Sequence, residues 1–64
     1  MKLIDLQTVF NSNDKLMVYS ADNAHLENTD INKLENSIYK DYDIKVMTVM
    51  NYYLIVVIEY YYNK

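Results

Sequence analysis

The only histidine, His25, stands in an acidic run with Asp22, Glu27 and Asp30. Carboxylate oxygens accept hard divalent cations, so this run is the first place to look for a metal. One imidazole and no cysteine fall far short of a closed zinc set. The run reads more simply as a solvated loop leading into a helix N-cap. Nucleophilic catalysis needs a nucleophile, a base and an orienting group. Ser12, Ser20 and Ser37 have His25 as their only histidine partner, and nothing in the spacing links them. Asp41 and Asp43 could serve as an acid–base pair, but between a helix and a strand they read as turn residues. Without glycine there is no backbone cradle for phosphate. Without arginine there is no guanidinium fork for phosphates or base edges. These residues predict a chain that is not an enzyme and that uses no cofactor and no metal.

The most distinctive residues are eight tyrosines, at positions 19, 39, 42, 52, 53, 60, 61 and 62. Tyrosines on a sheet can stack single-stranded bases. They also supply area and a hydrogen bond at protein interfaces, or simply fill core and strand positions. Nine acids against six lysines give a net charge of −3. That is poor material for neutralising phosphates, so nucleic acid is a disfavoured partner. Single-stranded nucleic-acid binding by a Tyr-rich sheet face is kept as the alternative reading.

These side chains need elements to hold them. Sixty-four residues predict a single compact domain over 1–64. One core of that size is marginal, and disulfides are impossible. Dense packing and oligomerisation remain. At 52% hydrophobic residues the chain is far too apolar for disorder. Turns must rely on Asn, Asp and Ser.

Residues 3–10 read as a first strand, with Ile4, Leu6, Thr8 and Phe10 on one side. Asn11-Ser12-Asn13-Asp14 is the best turn signal, and residues 15–21 complete a hairpin. Residues 22–28 read as a polar loop. Ile31, Leu34 and Ile38 recur at i, i+3 and i+7, predicting a helix over 29–40. Residues 44–62 are dense in strand formers and too long for one straight strand in so small a domain. A break near Asn51 gives strands over 44–50 and 53–62, with a bulge in one long strand as the alternative. The expected fold is α+β: ββαββ, a mostly antiparallel four-stranded sheet with one helix packed on one face.

The last strand is apolar on both sides, and one helix covers only one face. Its second face and edge form the expected contact surface, built from Met47, Val49, Tyr53, Ile55, Val57, Glu59 and Tyr61. Residues 52–58 carry no charge and combine it with β-propensity, an aggregation hazard that pairing between two copies would relieve. The chain is therefore expected to be a homodimer.

No apolar run approaches the roughly 18 residues of a membrane span, and Asp5 and Gln7 interrupt any signal-peptide core. A cytoplasmic location and no membrane partner are expected. Asn, Lys, Ile and Tyr abound while Gly, Pro, Trp, Cys and Arg are missing, which suggests an AT-rich genome. By analogy of size and charge with small acidic phage and mobile-element proteins, the expected function is to bind and inhibit a host protein.

Overall fold

The computed structural model describes residues 1–10, 14–50 and 53–63. Its elements are a 3₁₀ helix η1 (Leu3–Thr8), strands β1 (Lys15–Tyr19) and β2 (His25–Asp30), a second 3₁₀ helix η2 (Ile31–Asn36), and strands β3 (Ile44–Met50) and β4 (Tyr53–Ile58). The four strands form one sheet in the order β2-β1-β4-β3. Outer pairs β1/β2 and β3/β4 are antiparallel, and the inner pair β1/β4 is parallel. The class is α+β, but the sheet is mixed, because two antiparallel pairs meet through parallel neighbours.

Three expected elements are corrected. Residues 3–10 do not form a strand. Leu3 and Leu6, three apart, are both fully buried, the period of a 3₁₀ turn rather than of a pleat. The Lys2 N–H donates to Asp5 Oδ2 at 2.8 Å and starts the turn. Gln7 ties it to η2 by donating to the Ile31 carbonyl at 3.0 Å and to Glu35 Oε2 at 2.8 Å.

Residues 22–28 are not all loop. His25–Asp30 pairs along β1 from Tyr19 to Lys15. Polar composition hides this strand, because an outer strand satisfies one edge with water and needs few apolar side chains. The turn before it does without glycine: Asn23 takes φ 68°, and the Ser20 N–H donates to the Ala24 carbonyl at 2.8 Å. Asparagine tolerates this left-handed backbone better than most residues.

The helix over 29–40 shrinks to η2. Ile31 and Leu34 are fully buried, while Ile38, the next residue of the stripe, is 82% exposed. Ser37 stops the helix: its backbone is extended, and its hydroxyl accepts the Tyr39 N–H at 3.1 Å. Such a serine turn competes directly with helical hydrogen bonding. The element order is thus ηββηββ rather than ββαββ: the expected strand over 15–21 is β1, the strand expected over 3–10 is η1, and β2 stands where a loop was expected.

Strand β3 matches its expected range, and β4 stops at Ile58 rather than at residue 62. Met50 lies opposite Tyr53 in an antiparallel pair. Asn51, the expected break, lies outside the described residues, as do Asn11 to Asn13 of the expected first turn. A register shift does occur in β3, between Ile44 and Val46.

The core is one layer thick. Leu16 and Val18 of β1 and Leu54, Val56 and Ile58 of β4 face Leu3, Leu6, Ile31 and Leu34 of the two 3₁₀ helices. At one end Tyr60 packs edge-on against Tyr39 and Tyr42, with centroids 5.3 and 5.1 Å away. Among the described residues no helix is long and apolar enough to cross a membrane.

Candidate interaction surface

The residues with chemical potential do not converge on one another, and several are held by other partners; Ser12 lies outside the described residues. His25 packs edge-on against Tyr19 at 5.3 Å, and its Nε2 bonds Asn28 Oδ1 at 2.8 Å. Glu27 accepts the Ser37 hydroxyl. Asp30 pairs with Lys15 at 3.3 Å and Lys33 at 3.9 Å. Among the described residues no group of three His, Cys, Asp or Glu side chains stands where it could hold a metal ion. Ser20 turns its hydroxyl to Asp22 rather than to His25, and Asp41 and Asp43 are exposed. A surface depression of about 580 Å³ touches Lys15, Lys33 and Tyr53, but both lysines already face Asp30.

Asp22 anchors the last residues. It accepts the Tyr62 N–H at 3.1 Å and the Asn63 N–H at 2.9 Å. The Ser20 hydroxyl, then the Asn63 and Tyr62 amides, hold its carboxyl at about 2, below the usual 3.8. A depressed folded-state pKa contributes stability that is present above about pH 4 and lost as pH falls toward 2. Exchange of the Tyr62 and Asn63 amides is therefore expected to accelerate through that window. In Asp22→Ala it is expected to be fast already at neutral pH, which amide exchange by NMR would read directly.

The sheet has one covered and one open face. Residues directly opposite in a ladder share a face. Tyr53, Ile55 and Val57 therefore stand beside Lys15, Met17 and Tyr19 on one side and Met50, Thr48 and Val46 on the other. Neither 3₁₀ helix covers this face, since the core lies wholly on the other. Val46, Met50 and Tyr53 are 50%, 57% and 45% exposed. Across β1, Asn28 and His25 of β2 give the apolar centre a polar margin.

The expected surface residues separate into three groups. Tyr53, Ile55 and Val57 are together on the open face. Met47 and Val49 lie opposite Val56 and Leu54, so they point to the core side. They remain 41% and 69% exposed there, because the helical layer stops short of β3. Glu59 and Tyr61 follow the end of β4, and the Tyr60 N–H bond to the Ile58 carbonyl marks where the ladder ends. Strand alternation no longer assigns these two to a face.

Val46 and Met50 belong to the open face, where Met47 and Val49 were the β3 residues expected. The signal was available: strands ending at 50 and resuming at 53 make Met50 and Tyr53 partners. Met17 and Tyr19 were missed because nothing within β1 reveals that it adjoins β4. The expected free edge also moves. β4 is an inner strand with neighbours on both sides, and the apolar free edge belongs to β3.

No family model, curated protein or solved structure matches this chain.

Proposed function

We propose that this chain is a small acidic protein-interaction module, acting as a homodimer in the cytoplasm, whose open sheet face covers and inhibits a host protein. Its composition favours an AT-rich genome as the source, and the analogy of size and charge favours a phage or mobile element. One observation carries the reading: an apolar face with Val46, Met50 and Tyr53 exposed and a polar margin on β2. Contiguous exposed apolar surface of this kind marks interaction sites in folded proteins. Aromatic residues at its centre are the usual anchors.

The test is a pull-down from extract of the source cell, comparing wild type with Tyr53→Lys and Met17→Lys. Both changes lie on the open face of inner strands and leave the β3 edge intact. A specific bound protein is expected to weaken by about tenfold or more, as for an interface anchor, with the circular dichroism unchanged. Equal capture by the folded variants would refute the reading. The nucleic-acid alternative draws on Tyr19 and Tyr53, which share the open face with Lys15. A salt-dependent shift of a single-stranded oligonucleotide, abolished by Tyr53→Lys, would favour it instead.

A further inference from the structure

The two outer strands are unlike. β2 is polar apart from Leu26, with Glu27, Asn28 and Asp30, and charge on an outer strand discourages pairing with another chain. β3 reads Ile-Lys-Val-Met-Thr-Val-Met, and six of its seven residues are exposed. Among the described residues, its far side is occupied only at the start. Lys2 bridges antiparallel to Asp43, and the Ile44 N–H donates to the Met1 carbonyl at 2.8 Å. The Asp43 carbonyl accepts the Glu59 N–H in the opposite direction, so Met1 and Lys2 lie along the edge of β3 remote from β4. This seal ends at Ile44. Lys45, the strand's one charge, comes next, at the register shift. Val46 to Met50 remains as an uncharged edge, apolar except at Thr48.

We propose that two copies join through this edge, β3 pairing antiparallel with β3 of the second copy about a two-fold axis at Thr48. The inference rests on the reading of the chain as an interaction module and names one occupant of its surface. The segment is self-complementary about Thr48. Antiparallel pairing sets Val46 against Met50 and Met47 against Val49 in both directions, with Thr48 against its own copy. Each apolar pair joins a branched and an unbranched side chain, and Thr–Thr pairs are favourable across strands. Lys45 falls outside the paired segment. A register centred on Met47 would bring Met50 against Ile44, where Met1 already sits. The Thr48 register therefore uses the whole open edge and nothing else. It also brings Met47 and Val49 of both copies together on the core side, where each helical layer stops short. An isologous contact of this kind closes at two copies, so the edge is consumed rather than extended into a fibre.

The chain has no cysteine, so single-cysteine variants read the register. Residues facing each other across the axis have Cα atoms about 4.5–5.5 Å apart, within disulfide reach. Position 46 would stand about 14 Å from its copy, out of reach. Wild type is expected to sediment as a dimer at micromolar concentration. With oxidised glutathione, Thr48→Cys is expected to give a covalent dimer and Val46→Cys none. Thr48→Lys sets two like charges on the axis and is expected to weaken the dimer about tenfold or more without unfolding the monomer. A wild-type monomer of 7.7 kDa would overturn the proposal. So would equal cross-linking at positions 46 and 48, or a dimer indifferent to Thr48→Lys. Failure here is separable from failure of the interaction module. A monomer that still loses its partner on Tyr53→Lys removes only the dimer. A dimer whose partner ignores Tyr53→Lys removes only the open-face reading.

Discussion

Leu34→Ala is expected to cost about 2–5 kcal/mol, and Ile38→Ser close to nothing. Leu34 is fully buried beneath the sheet, whereas Ile38 stands 82% exposed beyond the Ser37 turn. A domain of this length holds only about 3–10 kcal/mol in total, at the usual stability per residue. Leu34→Ala should thus leave a large unfolded fraction at 37 °C. Urea denaturation of both variants checks the difference in midpoint. Similar losses would mean that a regular helix runs through residue 38 and buries it. The contrast tests the main departure from the periodic reading of residues 29–40.

Tyr60→Ala is the second large effect, expected at about 2–4 kcal/mol. Tyr60 sits between the rings of Tyr39 and Tyr42, and each edge-on pair adds about 0.5–1.5 kcal/mol beyond its buried area. Its carbonyl also accepts the Ala21 N–H at 2.7 Å, which ties the segment after β4 to the end of β1. Tyr60→Phe keeps the ring and is expected to lose less than about 1 kcal/mol. The cluster has a titration signature. Burial, reinforced by Tyr60 and Glu27, pushes the Tyr39 phenol above the usual tyrosine range. With a raised folded-state pKa, the neutral phenol contributes stability below its ordinary titration range, and that contribution is lost as pH rises above it. Tyr60→Ala admits water to Tyr39 and is expected to lower its pKa, read as tyrosinate absorbance against pH. An unchanged Tyr39 titration would show that Tyr60 does not shield it.

The sequence was most legible where side-chain pattern and neighbours agree. Lys15–Tyr19, Ile44–Met50 and Tyr53–Ile58 are strands by propensity and by structure. It misled where one pattern admits two periods. Ile4, Leu6, Thr8 and Phe10 alternate as in a strand, but Leu3 and Leu6 form the buried pair. His25–Asp30 has no strand-like composition at all; its partner β1 and the Asn23 turn make it one. Helix length failed for a local reason, because the Ser37 hydroxyl is invisible to hydrophobic periodicity. The open face was half legible. Tyr53, Ile55 and Val57 follow from alternation within one strand. Their companions Val46, Met50 and Met17 follow only from register between strands, which alternation cannot supply.

The placement of β4 between β1 and β3 also governs when this chain can fold. Lys15 lies beside Tyr53, more than half the chain away, and that parallel pairing closes the core. During synthesis β1 has only β2 for company until residues 53–58 leave the ribosome. Until then η1 and η2 lack half the sheet surface they will bury. Pairings this distant in sequence form slowly compared with local ones. The core is thus completed only when β4 pairs with β1, and a chain cut before residue 53 is expected to lack the strand that supplies Leu54, Val56 and Ile58.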